Sequence, residues 1–329
     1  METLKFTIIT PSFNQGNFIE ETIRSVVEQQ YKNFEYFVID GGSNDNTIDI
    51  LKKYDRKISF WVSEKDNGQS HALNKGFQRA TGDVLIWINS DDVLETEALT
   101  KVSKFFIENP SVDVVHGRTI LFQGTKQVMR EADGDNLPEQ YLSGMAFPQP
   151  SAFIRRKAIQ KFYPILDETL HFGMDYDLFS CLFLNCNFLS VHDAFSKYRL
   201  HAESKTVMTN EGFARDWQKV FCKIIASLGN KEIQSDLQKL GMWHNVQTIF
   251  PVIKYIDGKF LLKSFQYFLN FQINFYYRDL NLKQVKRIAK FINREFPEFY
   301  KERNIKRLHL ISSVPFARYL IPLLRKPVF

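Results

Sequence analysis

Gly82-Asp83-Val84-Leu85-Ile86-Trp87-Ile88-Asn89-Ser90-Asp91-Asp92 decides how this 329-residue chain folds. Val84 to Ile88 is apolar without alternation, the pattern of a strand buried on both faces. The run stops abruptly on four small polar residues, two of them adjacent carboxylates. In an open α/β sheet, ligands bind beyond the carboxyl ends of the strands. Carboxylates at such an end meet something cationic. Mg2+ or Mn2+ fits, because a hard divalent ion takes one or two protein carboxylates plus phosphate oxygens. For an isolated Ser-Asp-Asp the alternative is an Asp-rich turn or a helix cap.

The residues upstream favour the first reading. Lys5 to Thr10 is a short β-rich run ended by the loop Pro11-Ser-Phe13-Asn14-Gln-Gly16. Asn17 followed by Glu20 has the form of a capping box, and Ile19, Ile23, Val26 and Val27 supply a helical stripe. Phe34 to Ile39 is a second strand, ending at Asp40-Gly41-Gly-Ser-Asn-Asp45, with a helix from about Thr47. Ile58 to Val62 is a third, followed by the polar turn Glu64-Lys-Asp66-Asn-Gly68 and a helix capped by Ser70. Strands alternating with helices at this spacing predict a parallel sheet of βαβ units over residues 1–95. Every polar cluster falls at a strand end, and four strand tips on one sheet edge build a single pocket.

Downstream, Leu94 to Glu108 reads as an amphipathic helix stopped by Asn109-Pro110. Val112–His116 reads as a strand, and Arg118–Phe122 with Lys126–Met129 as a hairpin. Met145 to Ile154 predicts a bent edge strand because of Pro148 and Pro150. Gly173-Met174-Asp175-Tyr176-Asp177 opens a helix, and Phe188–Val191 and Phe195–Leu200 read as two strands. From about Asn210 the pattern is helical to the end.

Composition narrows the function. A net charge of +6 suits anionic ligands or an anionic membrane surface, and no recognition module for nucleic acid is present. Cys181, Cys186 and Cys222 lack metal spacing and are odd in number, which predicts reduced thiols and a cytoplasmic location. The first residues form no signal peptide, and no apolar run reaches about 18 residues. Pro11–Gly16 carries no Lys or Arg, unlike the phosphate loop a sugar nucleotidyltransferase needs. Neither a Gly-x-Gly-x-x-Gly nor a Walker A loop is found.

Taken together, Thr10-Pro-Ser-Phe-Asn14, Asp40-Gly-Gly-Ser-Asn-Asp45, Glu64-Lys-Asp-Asn-Gly68, Asn74-Lys-Gly76, Asn89-Ser-Asp-Asp92, Gln149-Pro-Ser151, Gly173-Met-Asp-Tyr-Asp177 and Tyr198-Arg-Leu-His201 stand in a telling order. That order resembles family 2 glycosyltransferases of GT-A fold, across roughly residues 5–206. The resemblance implies a GT-A domain over residues 1–209, Rossmann-like with a mainly parallel sheet flanked by helices, and a helical region over 210–329. It implies inverting transfer of a sugar from a nucleotide-diphosphate donor, UDP-linked by preference, to a glycan or lipid-linked acceptor of polysaccharide or lipopolysaccharide type. It also implies a divalent metal, Mn2+ or Mg2+, held by Asp91 and Asp92 with His201 as a third ligand, while Asn89 takes the motif's first acidic position. Asp175 matches the family's general base, with Met174 where a Glu usually stands. Thr10, Pro11, Phe13, Asn14, Asp40 and Gly41 match the nucleobase slot. Asp66, Gly68, Asn74, Lys75, Asn89, Ser90 and Arg199 match other donor contacts, and Lys205 lies close by in sequence.

The tail, 210–329, carries basic and aromatic helices with no motif. A helical subdomain packing its Phe and Leu residues against the catalytic core is expected for 210–305. For 306–329 peripheral attachment to the inner face of the membrane is the other reading. A non-catalytic sugar-nucleotide-binding protein is the rival from outside the enzymes, with Asn89 and Met174 as its signs.

Overall fold

The computed structural model describes residues 3–130, 137–163, 165–201, 204, 211–302 and 304–314. Lys205 and everything beyond Val314 therefore lie outside the described residues. Two compact units are formed, one by Met1–Asn136 with Met145–His201, the other by Leu137–Gly144 with Ala202–Phe329.

In the first unit, β1 (Phe6–Ser12), β2 (Phe34–Asp40), β3 (Phe60–Ser63) and β4 (Val84–Trp87) lie side by side in the order 3-2-1-4, all parallel. Helices α1 (Ile19–Val27), α2 (Thr47–Lys53) and α3 (Gln69–Arg79) make the crossovers. Ile8, Tyr36, Val38 and Ile86 meet Ile19, Ile23 and Leu51 in one buried cluster, which is why the quoted strand reads as apolar throughout. Beyond β4 the sheet is mixed. It continues through β8 (Ala152–Arg155), β6 (Val114–Gln123), β9 (Phe188–Arg199) and β5 (Val93–Leu94), with β7 (Lys126–Arg130) paired to β6. Strand β8 runs antiparallel to both its neighbours and β9 parallel to β6. Helices α4 (Ala98–Glu108), α5 (Arg156–Phe162) and α6 (Met174–Phe183) complete the unit.

Several local expectations are corrected. The breaks read at Gly117 and at His192–Ala194 are not strand ends but a matched irregularity within β6 and β9, where the pairing shifts register between His116 and Arg118. A Cβ on Gly117 would collide with the Asp193 carbonyl and the Phe195 ring, so a glycine lets the two backbones close here. Asn17 and Glu20 form no capping box: the Ile19 amide bonds the Gln15 carbonyl at 2.9 Å, and Glu20 accepts from Lys53 and Tyr54 of the next connection. Gly68, at φ +106, stands at the cap of α3 and frees Ser70 for another partner. Of Met145–Ile154 only the end is strand, because Pro148 and Pro150 turn Gln149–Ser151 into a short 3-10 segment.

One buried carboxylate locks the edge of the sheet opposite the pocket. Glu35 accepts from Lys5 (2.8 Å), Thr7 (2.6 Å) and both the amide and hydroxyl of Thr81 (2.7 Å each). Burial pushes its pKa up, but these donors outweigh burial and hold it at about 2 against an ordinary 4.5. A carboxylate depressed on folding stabilises above its unfolded pKa and loses that contribution as pH falls through the folded one. Glu35→Gln should therefore destabilise the fold by about 2 kcal/mol at neutral pH. Urea titrations of both proteins should converge between pH 4.5 and about 2. A difference that stays constant across that window would show that Glu35 acts by shape alone.

The second unit is helical among its described residues: Glu211–Ser227, Lys231–Lys239, Gly258–Arg278, Leu282–Glu295, Pro297–Glu302 and Ile305–Ser313. Phe221 stacks on Phe268 at 4.0 Å between centroids, and Phe265, Ile273 and Ile288 are fully buried. Leu137–Gly144 belongs here because the bare Gly144 backbone lies against the Trp217 ring, where a Cβ would collide, and Glu139 pairs with Lys263 at 3.2 Å. Among the described residues no helix is long and apolar enough to cross a membrane.

Candidate active site

Register puts the first three strand tips level, since Ser12 pairs with Asp40 and Asp40 with Ser63. Their loops are tied together. Asn14, held in the left-handed region at φ 53, donates its amide to Ser43 Oγ (2.7 Å) and accepts from the Asn44 amide (3.0 Å). The Gly16 amide reaches Asp45 (2.9 Å) and the Gln15 amide reaches Thr47 (3.1 Å).

Asp40 is fully buried and accepts from the amides of Gly42 (3.1 Å) and Ser43 (2.8 Å) and the hydroxyls of Ser43 (2.5 Å) and Ser63 (2.6 Å). It organises the floor. Gly41 matters by what it lacks: a Cβ there would stand 2.9 Å from Asp66 Oδ2, so the missing side chain lets the Asp66 carboxylate lean over it. Asp66 is in turn anchored by the Gly68 amide at 2.8 Å. Thr10 is buried and accepts from Tyr36 OH at 3.0 Å, and Pro11 is buried beside it. Phe13, by contrast, is 60% exposed, which removes a core role and leaves an aromatic face in the open beside these loops.

At the tip of β4 the two carboxylates point different ways. Asp92 is buried and accepts from the Arg199 amide (3.1 Å) and Asn89 Nδ2 (3.2 Å). Burial, then the neighbouring Asp91 charge, pushes its carboxyl well above the usual range. Asp91 is partly exposed, and its Oδ2 lies 2.9 Å from His201 Nε2. Of the three residues expected at a metal, Asp91 and His201 thus face one another on the partly exposed side of the tip, while Asp92 is turned inward and braces the loop. Arg199 is spent locally as well: it donates to the Asp91 carbonyl at 3.0 Å, pairs with Glu21 and lies over the rings of Phe18 and Phe122. Among the described residues no group of three or more His, Cys, Asp or Glu side chains is arranged to hold a metal. A single carboxylate such as Asp91 fits the mode in which substrate phosphates complete the coordination of a hard ion.

Helix α3 joins this tip to α6. Gln69 Nε2 donates to Asn89 Oδ1 (2.8 Å), and the adjacent Ser70 donates to Met174 Sδ (2.9 Å). Asp175 follows Met174 in the first turn of α6, half-buried, its Oδ1 accepting from the Tyr176 amide at 2.8 Å. Asp177 is buried and held by the Tyr163 hydroxyl, so it is a packing residue rather than a second acid at the site. Asn74 turns inward: its amide exchanges bonds with the Leu166 backbone (2.7 and 3.0 Å) and reaches Glu168 (3.1 Å), fastening the segment that leads into α6. Lys75 pairs with Glu64 at 2.7 Å. Gln69, Phe18 and Glu21 have no motif to betray them. Their roles come from which strand tip folding sets beside them.

The chain is similar to known proteins in sequence and in fold. The family model described as Glycosyl transferase family 2 matches residues 7–173. An uncharacterized glycosyltransferase of Rickettsia prowazekii is 25% identical over 269 residues, covering 79% of this chain and 82% of that one. The putative teichuronic acid biosynthesis glycosyltransferase TuaG of Bacillus subtilis is 32% identical over 120 residues, 36% of this chain and 48% of its own. The matches cover between about half and four fifths of such relatives' length. In three dimensions the chain is similar to S. aureus TarS 1–349, with a TM-score of 0.62 at 17% identity, over 96% of this chain and 92% of that one. A mannosyltransferase of Pyrobaculum calidifontis, solved with GDP-Man and Mn2+, gives 0.56 at 14% identity over 99% and 89%. At such identities the likeness shows the fold alone.

Proposed function

Because the chain belongs to glycosyl transferase family 2, we propose that it transfers a sugar, with inversion, from a nucleoside diphosphate donor to a hydroxyl of a glycan or lipid-linked acceptor. The reading is supported above all by two consecutive residues, Gln69 and Ser70, which tie the Asn89–Asp92 tip to the start of α6. An acidic group and a phosphate-facing cluster are thereby set on one short strut. In the proposed reaction Asp175 takes the proton of the acceptor hydroxyl as its oxygen attacks the anomeric carbon. The nucleoside diphosphate leaves from the opposite face. Asp91 and His201 would hold a divalent ion, which when bound offsets charge on the leaving pyrophosphate as a Lewis acid.

Phe13 and Asp66 would receive the nucleobase, the ring by stacking and the carboxylate by accepting a base N–H. A UDP-sugar is the favoured donor: uracil offers such an N–H, and TarS, of the same fold, has been solved with UDP and with UDP-GlcNAc. Since Phe13 is exposed, Phe13→Ala should leave the melting temperature unchanged and weaken UDP by about tenfold, the worth of one base–aromatic stack. Calorimetric titration of both proteins with UDP checks it, and equal affinities would remove Phe13 from the site. The proposal as a whole is tested by thermal shift against a panel of sugar nucleotides with and without Mn2+, followed by assay of product stereochemistry. No shift with any donor, or a retained anomeric configuration, would defeat it.

A further inference from the structure

Charge is divided unevenly along the chain: residues 202–329 hold 22 Lys and Arg against 10 Asp and Glu, whereas residues 1–201 hold 21 against 27. In the C-terminal unit the excess gathers on two helices. Leu282–Glu295 buries Val285, Ile288, Ala289 and Ile292 and turns Lys283, Lys286 and Lys290 to its other face. Ile305–Ser313 buries Ile305 and Leu308 and exposes Lys306 and Arg307. The two helices pack against each other, and burial and then the charges of Lys290 and Lys286 lower the pKa of His309. Of the acids between them, Glu295 is taken by Arg294 and Glu298 by Lys301, which leaves Glu302 against five cations. None of Lys283, Lys286, Lys290, Lys306 and Arg307 has an ion pair among the described residues.

Like charges that outnumber their counter-charges repel one another, which an external anionic surface would relieve. Leu310 (59% exposed) and Val314 (49%) lie on the same side of their helix as Lys306 and Arg307. A polyanion dissolved in water has use for the charges only, whereas a bilayer interface takes cations and apolar side chains together. The sequence beyond Val314 goes on in kind, with Phe316, Leu320 and Leu323 among Arg318, Arg325 and Lys326. We propose that the helices Leu282–Glu295 and Ile305–Ser313 form a docking surface for an anionic lipid bilayer, lysines at the headgroups and Leu310 and Val314 at the acyl boundary. The first helix has spent its apolar face inside the unit and contributes charge; the second contributes both.

This surface is independent of the sugar-transfer reading and is tested separately from it. The full chain is co-sedimented with vesicles of phosphatidylcholine and of phosphatidylcholine mixed with phosphatidylglycerol. Binding to the mixed vesicles alone, fading with added NaCl, is expected. The variant K286E/K290E/K306E/R307E should partition at least about a thousandfold more weakly at low ionic strength, each lost cation near an anionic leaflet counting for about fivefold. L310S/V314S should lose at least about tenfold while keeping the salt dependence. An unchanged melting temperature in both variants establishes that the fold is kept. Undiminished vesicle binding by the fourfold variant, equal binding to both lipid mixtures, or binding to soluble polyphosphate with none to vesicles would overturn the proposal.

Discussion

Asp175→Asn is expected to bind donor as the wild type does and to lower kcat by about three orders of magnitude. The substitution keeps size and hydrogen-bonding shape, and the side-chain oxygen can still accept from the Tyr176 amide, so the first turn of α6 keeps its form. What is removed is the basicity that takes up the acceptor's proton, a contribution of about a hundred- to ten-thousandfold in general base catalysis. Single-turnover transfer and UDP titration, run side by side, separate the two effects. A variant with wild-type kcat would show that some other group is the base. A variant that fails to bind donor would mean that Asp175 contacts the nucleotide sugar.

The second large effect discriminates between neighbours. Asp91→Asn should remove the Mn2+-dependent part of the donor-induced thermal shift and reduce transfer by about a thousandfold, since Lewis-acid stabilisation of the leaving charge is worth several kcal/mol. Asp92→Asn should leave the Mn2+ dependence intact and cost about 1 kcal/mol of stability. The asymmetry follows from geometry. Asp92 is buried against Asn89 and the Arg199 amide, with its carboxyl pushed up by burial and by Asp91. An amide of the same shape keeps an oxygen that can accept from those two donors, so little is lost. Asp91, partly exposed beside His201, is the one turned outward from the tip. If Asp92→Asn abolished the metal response and Asp91→Asn did not, the assignment of the two carboxylates would be reversed.

Much of the catalytic unit was legible because its signals are local. Apolar runs ending on polar clusters name the strands and their carboxyl ends, and strand–helix alternation dictates parallel neighbours. Roles within the site were less legible. Asn74 stands in a donor-matching motif, yet both ends of its amide are engaged by the segment around Leu166. Arg199 reads as a phosphate contact and is consumed by Glu21 and the Asp91 carbonyl. In each case the partner lies about ninety or more residues away in sequence, where no spacing rule reaches.

The division is plain in the quoted stretch itself. Its composition determined, unaided, that a buried strand starts at Val84 and that Asn89–Asp92 lies beyond its carboxyl end, because burial on two faces and chain polarity are properties of neighbours in sequence. Which of its two carboxylates faces outward was decided only by tertiary structure. The arrival of Arg199 at the end of a distant strand gives Asp92 a donor, Gln69 on α3 fixes the Asn89 amide that gives it a second, and His201 leaves Asp91 turned toward the imidazole. Hydrogen-bond satisfaction in a buried site depends on who arrives there, and that is written in the fold rather than in any one motif.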